Sequence, residues 1–176
     1  LVSKATVINP ASSFDKSVWP LLGPLLPQIP EELYGGLPFA LAPVLIDPIR
    51  LATEAVEFGN INETLEKMVK LLPALGALAT IIPRDTLKHR LQILADACKY
   101  INENDGEKLK NIKVPILVVA STNDLLIPSN EEAPRLQKLI GTKKCKVEIL
   151  EGRSHAALQE KGIDIVKIMK RHDWIS

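Results

Sequence analysis

Ile116-Leu-Val-Val-Ala120, running on into Ser121-Thr-Asn-Asp-Leu-Leu-Ile-Pro128, is the stretch on which the fold turns. Its first five residues are continuously apolar rather than alternating, the pattern of a parallel strand covered on both faces. Immediately downstream, Ser129-Asn-Glu-Glu132 has the spacing of a capping box. Leu136, Leu139 and Ile140 supply the buried face of a helix, and Gly141 stands where a C-terminal stop belongs. Cys145-Lys-Val-Glu-Ile-Leu150 alternates like a half-exposed strand, and Ile163-Asp-Ile-Val-Lys-Ile-Met169 reads as a closing helix. Strand, helix, strand, helix is the rhythm of an α/β sheet. At the other end of the chain Thr6-Val-Ile8 reads as a third strand.

Between residue 10 and Pro115 the text is of another kind. Eight of the 13 prolines and four of the seven aromatics fall in the first 50 residues, beside only seven charged ones, so this part is apolar, kinked and irregular. Its most hydrophobic piece, Leu37-Pro-Phe-Ala-Leu-Ala-Pro-Val-Leu-Ile46, is twice interrupted by proline and too short to cross a bilayer as a helix. From residue 61 a helical period takes over, with Ile61, Leu65, Met68, Val69 and Leu72 on one face and Asn60 as a plausible N-cap. A second helix is expected after Pro83, capped by Asp85. It buries Leu87, Leu91, Leu94, Cys98 and Ile101 and fades in Asn102-Glu-Asn-Asp-Gly106.

Composition excludes several classes. With 22 basic and 21 acidic residues the net charge is +1, and no Lys/Arg cluster is interleaved with aromatics, so nucleic acid is not an expected partner. Cys98 and Cys145 belong to no C-x-x-C pair and read as buried free thiols. The 176 residues suffice for one domain with a sizeable core. His89 and His172 lie in or beside predicted helices among Lys and Arg and read as solvated helix faces. No two histidines have helix-face metal spacing, so neither a metal nor another cofactor is expected.

Two residues carry the chemistry: Asp124 and His155, the latter in Gly152-Arg-Ser-His155, each just past a run that reads as a buried strand. Taken alone, an aspartate within Asn-Asp ahead of a proline is equally a turn residue capping its own backbone. A strand followed by S-x-x-D-x-x-I-P, then a strand followed by G-x-S-H, resembles the last third of the α/β-hydrolase fold. Val7-Ile-Asn-Pro-Ala-Ser-Ser-Phe14, Leu21-Leu-Gly-Pro-Leu-Leu-Pro27, Pro30-Glu-Glu-Leu33 and Ile81-Ile-Pro-Arg-Asp-Thr-Leu87 narrow the likeness. Together they resemble the plant esterase/lipase/thioesterase family, which includes the phytyl ester synthases and diacylglycerol acyltransferase-like proteins of chloroplasts.

The resemblance implies the C-terminal half of an α/β-hydrolase fold, parallel strands with flanking helices, carrying an inserted helical cap. Residues 1–10 and 114–176 would be a partial hydrolase core, and 11–113 the cap or lid. Asp124 and His155 would be the acid and base of a serine-dependent acyltransferase or esterase that moves fatty acyl groups from an acyl donor onto a lipid alcohol, phytol or diacylglycerol. The imidazole accepts the serine proton during attack on the acyl carbonyl, and the carboxylate fixes its tautomer and stabilises the imidazolium. Location in the chloroplast, at the plastoglobule, and contact with a membrane or lipid-droplet surface are implied in the same way.

The departures matter as much. No G-x-S-x-G occurs, and the eight serines, at 3, 12, 13, 17, 121, 129, 154 and 176, all lack an elbow's glycines. The nucleophile is therefore expected upstream, outside this chain, together with the amides of the oxyanion hole, and the chain alone is expected to be inactive. In the cap, Trp19, Tyr34 and Phe39 are candidates to line an acyl or isoprenoid channel, against the alternative that they pack inside it. Two other readings stay open: a non-catalytic product acting as a lipid-binding or interaction module, and an ordinary carboxylesterase or thioesterase.

Overall fold

The computed structural model describes residues 2–45, 47 and 61–175. Strands β1 (Ala5–Ile8), β2 (Ile116–Ser121) and β3 (Cys145–Leu150) form a sheet in the order β1-β2-β3, parallel throughout, with Ala5 opposite Ile116 and Ile116 opposite Cys145. The central strand explains its own sequence. Leu117, Val118, Val119 and Ala120 have no solvent exposure, because successive side chains point to opposite faces and both faces are covered. On one face Val118 and Ala120 pack with Ala133, Leu136 and Ile140; on the other Leu117 and Val119 pack with Ala157, Ile168 and Trp174. Each of the larger aliphatic side chains among them contributes on the order of 1.5–3 kcal/mol by leaving water.

Between β1 and β2 the described residues form helices α1 (Trp19–Leu22), α2 (Glu31–Tyr34), α3 (Leu37–Leu45), α4 (Ile61–Ile81) and α5 (Arg84–Lys110), with short 3₁₀ turns. α6 (Ser129–Ile140) connects β2 to β3, and α7 (Ile165–Arg171) follows β3. The molecule is thus α/β in character, as its text implies.

Several local expectations change. Leu37–Leu45 is a single helix despite its prolines: Pro38 stands in the first turn, where its missing N–H is not needed, and Pro43 is accommodated inside. Asp85 does not cap α5, whose N-cap is Pro83; Asp85 lies in the first turn, where its charge still suits the helix dipole. Val69 is exposed rather than on a buried face; the side chains of Ile61, Leu65, Met68 and Leu72, and the Asn60 cap, lie outside the described residues. α5 does break at the polar stretch, with Asn104, Asp105 and Gly106 at φ +51°, +55° and +72°. Asn, Asp and Gly are the residues that enter this left-handed region most readily. α6 stops at Ile140 with Gly141 at φ +98°. α7 starts two residues later than expected, capped by Asp164, whose carboxylate accepts the Lys167 N–H at 3.1 Å.

The capping box at 129–132 is not one. Pro128 is the N-cap of α6, and both residues of the expected box are fully buried and turned to other partners. Ser129 donates to Asp124, and Glu132 accepts from Ser12, Ser13 and Arg135. A buried carboxylate facing a guanidinium binds it in preference to a backbone amide at its own helix start.

Candidate active site

The turn after β2 places Asp124 by means of its own backbone. Asp124 Oδ1 accepts the N–H groups of Leu126 at 3.0 Å and Ile127 at 2.9 Å, an Asx-type turn that leaves Oδ2 aimed away from it. Parallel pairing of β2 with β3 brings the two following loops side by side, and they are stitched together. Asn123 N–H donates to the Arg153 carbonyl at 2.9 Å, and Gly152 N–H to Thr122 Oγ1 at 2.7 Å. Gly152 sits at φ +64°, which turns the chain sharply off the strand end. Three residues on, His155 Nδ1 stands 2.9 Å from Asp124 Oδ2.

This pair has a defined polarity. Facing a carboxylate, Nδ1 is the nitrogen that carries the proton, which leaves the Nε2 lone pair available as a base. The aspartate side chain has no exposure and that of the histidine 25%. Its surroundings hold the loop as well: Ser154 gives both its N–H (2.8 Å) and its hydroxyl (2.5 Å) to Glu160 Oε1, while Arg153 pairs with the other oxygen at 3.2 Å. Asn9, just past β1, donates from Nδ2 to the His155 carbonyl at 2.8 Å.

A cleft of about 180 Å³ with mostly apolar walls is lined by Asn123, Leu125 and Ser154, the sequence neighbours of the pair, and not by Asp124 or His155 themselves. It runs between Pro43, Val44 and Asp47 at the end of α3 and Thr122, Asn123 and Leu125 after β2. The Leu45 carbonyl accepts the Ala156 N–H at 3.1 Å, fastening the end of α3 to the histidine's loop. Trp19, Tyr34 and Phe39 do not line this cleft. Tyr34 is buried and gives its hydroxyl to the Ile82 carbonyl at 2.8 Å, with burial pushing its phenol up. Trp19 is half-buried on α1, and Phe39 is 40% exposed on α3, its ring near Gly76.

Five of the serine hydroxyls have other duties: Ser12 and Ser13 on Glu132, Ser17 on the Phe14 carbonyl, Ser129 on Asp124, Ser154 on Glu160; that of Ser121 is buried without a hydrogen-bond partner at the end of β2. His89 is exposed on α5, as expected. His172 is not on a solvated face: it closes α7 with Nε2 2.9 Å from Glu148 Oε2 on β3. No group of three or more His, Cys, Asp or Glu among the described residues is placed to hold a metal, and no described helix is long and apolar enough to cross a membrane. Sequence reasoning missed Asn9, Ser129 and Glu160. The signal for Asn9 was a polar residue directly after an apolar strand; for Ser129 and Glu160 there was none beyond residue type.

Fold and site together define an α/β chain whose parallel sheet presents a carboxylate–imidazole pair past the ends of adjacent strands. Comparison with known proteins says where it belongs. The chain is 35% identical over 179 residues to phytyl ester synthase 1, chloroplastic, of Arabidopsis thaliana, a match that covers 96% of this chain and 25% of that protein. It is related, as one partial region, to the plant phytyl ester synthase-like family, and it spans about a quarter of the length of the curated relative it matches. No family model and no solved structure matches it.

Proposed function

We propose that this chain is the cap and C-terminal half of the α/β-hydrolase domain of a serine-dependent acyltransferase that moves fatty acyl groups onto phytol in the chloroplast. The observation that carries this is the 2.9 Å contact between His155 Nδ1 and Asp124 Oδ2, in a chain related to a phytyl ester synthase. Residues 1–10 and 114–176 are the core portion and 11–113 the lid.

In this reading a serine outside these residues attacks the carbonyl of an acyl donor, and His155 Nε2 accepts its proton while Asp124 stabilises the imidazolium. His155 returns the proton to the leaving group, and the acyl chain stays on the serine. The phytol hydroxyl then attacks that acyl-enzyme with His155 again as base, releasing the ester. The apolar cleft flanking the pair, about 180 Å³, has room for a short segment of an acyl or isoprenoid chain and not for its whole length. Diacylglycerol is a second acceptor of the same chemistry, and the plastoglobule surface, where such lipids collect, is the expected site of action. A non-catalytic lipid-binding role is the second reading, favoured by the hydroxyls of Ser129 and Ser154, the serines nearest the pair in the two loops, being given to Asp124 and Glu160 and not to His155.

The enzyme carrying this region together with its nucleophile, given a labelled acyl donor with phytol, diacylglycerol or water, is expected to form phytyl ester. Free fatty acid as the sole product would make it a hydrolase, and no turnover of the donor would leave the lipid-binding role.

A further inference from the structure

The Asp124 carboxylate is held by more than its imidazole. Its Oδ2 meets both His155 Nδ1 at 2.9 Å and the hydroxyl of Ser129 at 2.8 Å. Ser129 is fully buried at the first residue of α6 and has two further oxygens near it, Asn9 Oδ1 at 3.1 Å and the Ser121 carbonyl at 3.4 Å. A hydroxyl has one proton to give, and the anionic oxygen, also the nearest, takes it. Asn9 braces the arrangement. Its Oδ1 accepts the Ser121 N–H at 2.9 Å and its Nδ2 donates to the His155 carbonyl at 2.8 Å, so the amide is fixed at both ends.

We propose that Ser129, braced by Asn9, is a positioning residue of the Asp124–His155 pair: its hydroxyl pins Oδ2 and takes up part of that oxygen's charge, setting how firmly His155 holds a proton. The purpose of this tuning rests on the acyl-transfer reading above; the contacts themselves do not. Four donors share the carboxylate: two amides on Oδ1, the hydroxyl and the imidazole on Oδ2. With the hydroxyl gone, the imidazole faces more of the negative charge, and the imidazolium persists to higher pH. Of the charged groups near this loop, Asp124 is in contact with His155, the Arg153–Glu160 pair belongs to the same loop, and Asp47 lines the cleft together with Ser154, the residue before His155. Ser129 touches the first of these.

Diethyl pyrocarbonate acylates neutral imidazole, and peptide mass mapping reads His155 separately from the exposed His89, which serves as internal standard. The rate at His155 relative to His89 is followed against pH in the native chain and in Ser129→Ala, Ser129→Thr and Asp124→Asn, with circular dichroism as the check on folding. Ser129→Ala is expected to move the half-reactive pH upward, slowing modification on the acid side by about threefold or more. Ser129→Thr, which keeps the hydroxyl, gives the native profile, and Asp124→Asn moves it downward. Should the alanine variant unfold, Ser129→Cys, whose thiol is a weak donor, shows a smaller upward shift. A Ser129→Ala profile that coincides with the native one, or a Ser129→Thr profile shifted as far as the alanine's, overturns the proposal. If Asp124→Asn also leaves the profile unmoved, the pair itself fails and the proposed function with it.

Discussion

At the scale of the residue, Asp124 shows why two readings of one side chain need not compete. One carboxylate oxygen caps the turn through Leu126 and Ile127, as an aspartate ahead of a proline is expected to, and this leaves the other for His155. The pair was legible because each member follows an apolar strand. Ser129 was not, since its partner lies across a turn, and Asn9 showed only as a polar residue directly after an apolar strand, its partners being 112 and 146 positions away. Cys98 and Cys145 behave as their spacing suggests: both are buried free thiols, and burial pushes both above the ordinary thiol range. The thiolate is the reactive form, so neither is expected to react with iodoacetamide in the folded chain at neutral pH, and both should react in denaturant. Mass spectrometry counts the adducts; fast labelling of either residue in the folded chain would contradict the packing described.

At the scale of the element, strands were easier to read than helix ends. β2 shows itself through an unbroken apolar run that only a doubly covered strand tolerates. The start of α6 misled because Ser and Glu three apart look alike whether they cap a helix or face a buried network; tertiary partners decided it. The break in α5 was readable from Asn-Asp-Gly, and it yields a paired prediction. A Cβ on Gly106 would stand 3.2 Å from Leu139 Cδ1 at a φ of +72°. Gly106→Ala should therefore cost about 1–3 kcal/mol, read as a fall in Tm. Gly23 has helical φ and ψ of −52° and −47° and open space around its Cβ direction. Gly23→Ala should be neutral or stabilising by up to about 1 kcal/mol, because alanine loses less freedom on folding. Equal effects of the two changes would show that the α5 turn is not formed as described.

At the scale of the whole molecule, the segment after β1, the break in α5 and α6 are tied by one buried carboxylate. Glu132 has no exposure and binds Ser12, Ser13, Lys16 and Arg135, and Arg135 in turn donates to Asn102 at 2.8 Å. Burial alone would raise this carboxyl, but the hydrogen bonds from Arg135, Ser12 and Ser13 outweigh it and hold it below the usual range. Since the folded value is the lower one, its contribution to stability is full above about pH 4.5, the ordinary glutamate value, and fades as pH falls through the lowered folded value. Glu132→Gln is expected to cost on the order of 3 kcal/mol at neutral pH by leaving Arg135 unmatched, and to flatten the acid limb of stability against pH. Denaturant unfolding at several pH values checks both; an acid limb of native steepness would place the acid sensitivity elsewhere. The same network joins the helical region to the sheet beside the Asp124 loop, where Val18 N–H also reaches the Leu126 carbonyl at 3.2 Å. The claim on which the account rests is that His155 acts as the base for acyl transfer with Asp124 as its partner. It is tested most directly by measuring phytyl ester formation with His155→Ala and Asp124→Asn in the enzyme that carries this region together with its nucleophile. The first variant is expected to abolish transfer and the second to lower it by about 10³–10⁴-fold, with folding retained in both; transfer at the native rate by either variant would contradict these roles.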